Sequence, residues 1–269
     1  SSDVCSSDLD SQPRRLIHSA ARRWACGVAQ GLVLPFIIVL RMAPWLAPFF
    51  CYHYLTGEPE DSDFLAVVAA IVTFAIATGL QFLAVWAIKR LTGCLQAGSY
   101  PLWGLVYFRW WIVDRLMDVP AIHLLYGTNL YELWLRALGA KVGREVCIGS
   151  VILRVPDLLH VADRVSLGHG CMLENAKVQS GRLILGTIVI EEDATVDSYT
   201  VLEPNTRVGV ASRVCAQSAV LMGHSVSAGR KAHGAPARDV GAAKTDRPRP
   251  PPVSSRGAAL LRLRYAGSA

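Results

Sequence analysis

Four histidines in the second half of the chain carry most of its capacity to move protons near neutral pH: His160, His169, His224 and His233. His169 stands in SLGHGCML, and a carboxylate, Glu174, follows in CMLEN. The candidate catalytic residues are His169, then His224, with Glu174 to orient the imidazole or to bind a substrate amine. A second set suits anions. In RKAHGAPARDV, Gly234 permits close backbone approach, Pro236 stiffens the turn beside Ala237, and Lys231 and Arg238 can meet phosphates. The seven cysteines, at 5, 26, 51, 94, 147, 171 and 215, form no CxxC pair, so the sequence suggests neither a metal site nor a disulfide framework.

The element that must position these residues has a period of six. Ile190, Val196, Leu202, Val208, Val214, Val220 and Val226 stand six apart without a break. Ala194, Thr200, Thr206, Ser212 and Ser218, all small, follow the first five at a fixed offset of four. The period returns earlier at Val142 and Ile148, and at Val161, Leu167 and Leu173. A helix repeats near 3.6 and a half-buried strand at 2. A fixed six means short strands wound into a triangular coil, three units to a turn, with the aliphatic pointing into the axis and the small residue at the corner. The phase breaks at KVQSGRLILG (177–186), which is expected to be a loop thrown out of the solenoid, where function tends to sit. Asp157 in VPDLL reads as a turn former.

The first half has a different physics. Hydrophobic residues make up 52% of the chain and charged residues 18%, with mean hydropathy +0.33. That is too apolar for an ordinary soluble domain. From Trp24 to Leu55 the only formal charge is Arg41, and Phe64 to Ile88 has none. Both runs are long enough to cross roughly 30 Å of hydrocarbon. Pro35, Arg41 and Pro44 interrupt the first, which is expected to be kinked or partly re-entrant, with Arg41 snorkelling or paired within the bundle. Arg14, Arg15, Arg22 and Arg23 precede the pair, Lys89 and Arg90 follow it, and the loop TGEPEDSD between the spans is acidic. The positive-inside rule then puts both outer flanks, and everything after residue 89, on the cytoplasmic side of an inner membrane. With a net charge of +6, membrane lipid rather than nucleic acid is the expected partner. Trp103, Tyr107, Phe108, Trp110 and Trp111, interleaved with Arg109 and Arg115, suit a helix over 102–118 lying in the headgroup layer, followed by an amphipathic helix over about 129–138.

The hexads resemble the left-handed β-helix of hexapeptide-repeat acyltransferases. HGAPARDV (233–240) resembles the G-x-P-A-K/R segment that closes that helix in maltose- and serine-acetyltransferase-like enzymes. There the turn helps hold the pantetheine arm and nucleotide of the acyl donor. The resemblance implies that role for Lys231, Gly234, Pro236, Ala237 and Arg238. The wider layout covers about 24 to 240: paired spans, YPLWGLVYFRWW, YGTNLYELWLRALGAKVG, then PDLLHVADRVSLGHGCML. It is similar to the membrane-embedded C-terminal region of poly-ε-lysine synthetase-type nonribosomal peptide synthetases. That region repeats a two-span unit and a β-helix three times, so the resemblance implies a last-repeat fragment.

Several expectations follow from the resemblance. The module acts on acyl or aminoacyl groups carried by the phosphopantetheine of a carrier protein or by acyl-CoA, supplied in trans with nothing held covalently here. Its partners are a carrier protein and sister β-helices in a pseudo-trimer or homotrimer, with sites formed between neighbours. The family's general-base histidine falls where Ala176 stands in MLENAKVQSG. That departure keeps a second reading open, a non-catalytic β-helix that scaffolds and anchors its sister modules.

The chain opens SSDVCSSDL, which back-translates to a common sequencing adapter in one frame. Residues 1–9 are therefore expected to be an artefact that removes Cys5 from the cysteine set, and the absent Met implies a truncated gene. The expected plan is a basic juxtamembrane segment (10–23), two spans (24–90), interfacial helices (91–139), the β-helix (140–240), and a disordered basic Pro-rich tail (241–269).

Overall fold

The computed structural model describes residues 19–57 and 62–243. The adapter-like stretch, Arg14 and Arg15, residues 58–61 of the acidic loop, and the tail from 244 lie outside the described residues.

Two helices come first, α1 (Ala20–Leu55) and α2 (Asp63–Thr92). At 1.5 Å per residue they are about 54 and 45 Å long, and both are long and apolar enough to cross a membrane. The first apolar run is one continuous helix through Pro35, Pro44 and Pro48. The reason is visible at Pro44. Proline has no N–H to give the carbonyl four residues back, which is that of Leu40. Buried Gln81 of α2 supplies the missing donor: its Nε2 donates to Leu40 O at 2.8 Å and to Arg41 O at 3.3 Å. A neighbouring helix thus mends the break, as a proline-bearing helix in hydrocarbon would require. The Arg41 side chain is exposed.

The helix pair is a hairpin, so its two basic flanks lie at one end, and there it meets the rest of the molecule. Arg22 Nε donates to Trp103 O at 3.3 Å, and Arg23 lies over the Trp103 ring. Lys89 Nζ donates to both carboxylate oxygens of Asp157, at 3.0 and 2.9 Å, and Leu95 N donates to Asp157 Oδ2 at 3.0 Å. Both side chains of this ion pair are 7% exposed. Asp157, which reads from sequence as a turn former, is the joint between α2 and the solenoid.

Helix α3 (Leu105–Met117) fills the angle between them. Its Val113 packs with Leu95, Val155, Leu158, Leu183 and Leu185, and its Leu116 packs with Val85 of α2. Buried Asp114 pairs with Arg115 and, at 3.0 Å, with Arg154. Helix α4 (Asn129–Ala137) closes one end of the solenoid, sending Tyr131 and Leu135 into its axial core.

The six-residue period folds as a parallel β-helix with three faces and about five turns. The first face stacks Lys141–Val142, Leu159–Val161, Ile188–Ile190, Thr206–Val208 and Ser225–Val226. The second stacks Cys147–Ile148, Ser166–Leu167, Thr195–Val196, Arg213–Val214 and Arg230–His233, ending on the antiparallel strand Arg238–Ala242. The third stacks Val151–Leu153, Cys171–Leu173, Val201–Leu202 and Ala219–Val220. Ile190, Val208 and Val226 are register partners in sequence, as are Leu167, Val196 and Val214. These axial side chains are all buried and form one continuous core.

The corners work differently from the sequence expectation. The residue that turns the chain precedes the small one. Asp193, Tyr199, Asn205, Ala211 and Gln217, six apart, take left-handed conformations with φ between 52° and 60°, and Gly223 and Gly229 continue the series. The small residue comes next, tucked beneath the turn, where its hydroxyl can meet a corner carbonyl: Thr200 Oγ1 donates to Asp197 O at 2.7 Å and Ser212 Oγ to Gly209 O at 2.6 Å.

The expected loop at 177–186 is instead an ordered hairpin, Ala176–Gln179 paired with Arg182–Leu185. Its free edge is covered by Gly98–Pro101, which pairs antiparallel with Arg182–Leu185. The alternation in RLIL explains the strand, because Leu183 and Leu185 are buried under α3 while Arg182 and Ile184 face outward. The hairpin accounts for the phase break. Val161 and Ile190 are partners though 29 residues apart, not 18.

Candidate active site at the second corner

The three corners of the solenoid differ in chemistry. The second, between the second and third faces, is built from residues that follow the axial side chains Ile148, Leu167, Val196, Val214 and Ala232 by two positions. Those axial residues are register partners in turn. The residues two places on, Ser150, His169, Ser198, Ala216 and Gly234, therefore form a column along the corner. Strand spacing is roughly 4.8 Å, so His169 and Gly234 lie three coils, about 14 Å, apart along the axis.

His169 is exposed yet held from several sides. Its Nδ1 lies 2.7 Å from Ser150 Oγ, and the same oxygen accepts from Gly170 N at 2.8 Å. His169 N donates to Ser198 Oγ at 3.2 Å, and its carbonyl accepts from Tyr199 N at 2.9 Å. The Tyr199 ring meets the imidazole edge to face, centroids 5.9 Å apart. Gly170 makes room for this. With φ at 68°, it would place a Cβ only 2.7 Å from the Tyr199 ring. Tyr199 is itself 60% exposed and left-handed, an uncommon conformation for a bulky residue. Cys171 is buried behind this cluster with its thiol donating to Asp197 O, and burial pushes its pKa up, so it is a packing group and not a nucleophile.

At the far end of the same corner lies the HGAPARDV turn. Gly234 takes φ 101°, its N–H donates to Ser218 Oγ at 3.1 Å, and Ala237 N donates to Ala219 O at 2.8 Å. Pro236 is exposed at the tip. Lys231 lies on the second face beside Arg213, and Arg238 sits opposite exposed His233 in the closing strand pair. Arg230 pairs with Asp239 at 2.6 Å, and the guanidinium holds that carboxyl below its ordinary range.

Glu174 and His224 are elsewhere. Both sit on the third corner, Glu174 just beyond Leu173 and His224 two coils further on, after Gly223. Glu174 is at the opposite end of the strand Cys171–Leu173 from His169, and no hydrogen bond joins the two side chains among the described residues. Between Glu174 and His224, Glu203 pairs with Lys177 of the hairpin at 2.7 Å and accepts from Met222 N at 3.0 Å. His224 Nδ1 lies 3.2 Å from Met222 O, within its own turn. His160 faces outward on the first face opposite Lys141, and burial, then the Lys141 charge, lowers its pKa. Ala176 begins the hairpin and packs against the α3 cluster. A cavity of about 60 Å³ between α3, α4 and the first coil is lined by Asp114, Asp118, Tyr126, Tyr131, Ile152 and Arg154 among others, and holds none of the candidate residues. Among the described residues no group of three or more His, Cys, Asp or Glu is placed to hold a metal ion.

Sequence reasoning missed Ser150, Ser198 and Tyr199. The signal was present: writing the chain in coils, with register partners aligned, puts Ser150 and Ser198 directly above and below His169.

No protein-family model matches the chain. Over 220 residues, 81% of its length, the chain is 42% identical to Delta-poly-L-ornithine synthetase of Acinetobacter baumannii (strain AB307-0294), of whose length it spans 16%. Solved structures similar to it include a maltose O-acetyltransferase from Clostridium difficile 630, with 14% identity over 58% of this chain and 97% of that one, TM-score 0.42. Another is a hexapeptide-repeat acetyltransferase from Vibrio cholerae O1 biovar eltor complexed with acetyl coenzyme A, with 21% identity over 46% of this chain and 84% of that one, TM-score 0.37.

Proposed function

We propose that this chain is a fragment of a membrane-bound, nonribosomal-type synthetase, and that its solenoid transfers an acyl or aminoacyl group from a phosphopantetheine thioester to an amine. The observation that carries this reading is the second corner, where an exposed, fixed imidazole stands in line with the turn that resembles a donor-binding segment. The relationship to a poly-ornithine synthetase supports the substrate class.

His169 Nε2 is the general base. It takes a proton as the acceptor nitrogen attacks the thioester carbonyl carbon. The C–N bond forms, the C–S bond breaks, and the imidazolium returns the proton to the departing sulfur. Gly234, Pro236 and Ala237 flank the donor arm, with Lys231 and Arg238 at its phosphate. The arm of a carrier protein, or acyl-CoA in its place, spans the three coils to His169. Glu174 and His224, on the third corner, serve a neighbouring module. In a pseudo-trimer or homotrimer the interface joins unlike patches, so the second corner of one module meets the third corner of the next, and Glu174 there holds the acceptor amine. The helix pair crosses the inner membrane with its basic end and the solenoid on the cytoplasmic side, and α3 lies at the lipid headgroups with its aromatic residues.

The test uses the intact synthetase that contains this sequence. His169→Ala is expected to abolish most product formation and His224→Ala to reduce it less. Unchanged product from both variants would instead favour the scaffold reading that Ala176 raises.

A further inference from the structure

We infer that Ser150 is a positioning residue for His169, which holds the neutral imidazole as its Nδ1–H tautomer and leaves Nε2 as the free lone pair. The inference rests on the reading of His169 as a base and names what makes it one.

An exposed histidine in a turn ordinarily samples several rotamers and both neutral tautomers. His169 does not have that freedom. Its backbone N–H and C=O are engaged by the coil below, the Tyr199 ring closes one side, and Ser150 Oγ stands 2.7 Å from Nδ1. The tautomer of a histidine follows from the bond its other nitrogen makes. A serine hydroxyl has two acceptor sites and one donor. One acceptor site on Ser150 is taken by Gly170 N–H at 2.8 Å, a contact fixed by backbone. The second is free to accept from Nδ1, and Ser150 is only half-buried, so its hydroxyl proton can turn to solvent. Oγ thus receives two N–H groups. Nε2, on the far side of the ring, is left without a proton and without a partner among the described residues.

The same contact serves the protonated ring. Imidazolium carries N–H on both nitrogens, so the Nδ1–H to Oγ bond persists unchanged while Nε2 gains and loses its proton. Had Ser150 donated to Nδ1 instead, the neutral ring would present Nε2–H. It would then be a hydrogen-bond donor to substrate and could not accept a proton there. The sequence has one hydroxyl to spare for this. Ser198 occupies the equivalent place in the next coil, but its Oγ is spent on the His169 backbone.

The experiment is nitrogen NMR of the full chain in lipid nanodiscs with 15N-labelled histidine, at alkaline pH. The expected result is a His169 ring with a pyrrole-like Nδ1 and a pyridine-like Nε2. In Ser150→Ala the pattern should become a mixture of tautomers, while Ser150→Thr, which keeps the hydroxyl, restores it. The other histidines, unshifted in both variants, report that the fold is intact. In the intact synthetase Ser150→Ala should lower kcat about tenfold with KM unchanged, well short of the roughly 10²–10⁴-fold that general-base catalysis supplies. A predominantly Nε2–H ring, or a spectrum that Ser150→Ala leaves unaltered, would overturn the inference even if His169→Ala is inactive. An Nδ1–H ring lost in Ser150→Ala, beside a fully active His169→Ala enzyme, would instead refute the base assignment and leave the Ser150 contact standing.

Discussion

The first and second corners of the solenoid are built on the same backbone and hold opposite kinds of chemistry. At the first, Arg164 grips Asp193 through two hydrogen bonds and reaches Glu192, Glu191 pairs with Arg207 and accepts from Val210 N, and Asp163 accepts from Arg144 N. Each of these carboxylates meets a guanidinium or a backbone N–H. At the second, Asp197 pairs with Arg213, set back from the edge, and the edge itself carries hydroxyls, an imidazole and a tyrosine ring. Those groups position one another and still keep lone pairs to offer. Neutralised charge on an exposed corner stitches coils together. Held but uncommitted polar atoms are what a reaction needs.

Crossing the two corners gives the largest expected contrast. His169→Ala should cost on the order of 10²–10⁴ in turnover of the intact synthetase while scarcely moving Tm. Arg164→Ala should scarcely change either turnover or Tm, because exposed ion pairs contribute little. Turnover lost in Arg164→Ala would break the distinction between the corners.

 
The buried Lys89–Asp157 pair shows that charge pairing alone does not make a group dispensable. Asp157→Ala strands Lys89, 6% exposed, without its partner and leaves Leu95 N unbonded. Breaking a buried pair this way typically costs about 3–5 kcal/mol, read as a fall in the thermal midpoint of the full chain in detergent. A loss as small as that of Arg164→Ala would show that burial does not separate the joint from the first corner.

Gly170→Ala probes the second corner from beneath. A Cβ there meets the Tyr199 ring and sits on a left-handed backbone, so stability should fall by about 1–2 kcal/mol. Turnover should fall further than stability accounts for, as the ring and His169 shift together. A variant with normal turnover would remove Tyr199 from the site.

The smallest effect belongs to His160 on the first face. Burial and Lys141 lower its pKa in the folded chain, so the unfolded chain binds the proton more readily. Its contribution to stability is present above the unfolded value of about 6.5 and is lost as pH falls. His160→Gln should flatten the pH dependence of the denaturation midpoint below pH ~6.5, and an unaltered slope would show that His160 titrates as it does in the unfolded chain.

Much of the solenoid was legible because its core repeats. Ile190 through Val226 announce six-residue units, and each lands in register where the period puts it. The hairpin was legible only as a break in phase, since its order comes from α3 and from Gly98–Pro101, far away in sequence. The site was half legible. His169 and the HGAPARDV turn stood out by residue type, but Ser150 is an ordinary serine until the coils are stacked. Asp157 gave no signal at all, because the lysine that defines it is 68 residues earlier, at the end of a helix whose other features speak only of lipid. Gln81 is similar: its purpose depends on a proline in another helix.

The joint at Asp157 has a consequence for encounter. A domain on a flexible leash loses rotational freedom each time it docks, and every productive collision must find the right orientation again. Here the solenoid is fastened to α2 by a buried ion pair and to α1 through Trp103. If the helix pair crosses a bilayer as proposed, the heading of each corner relative to the membrane plane is set once, when the chain folds. A visiting partner then meets a surface that already faces one way, and the search is reduced from tumbling to approach.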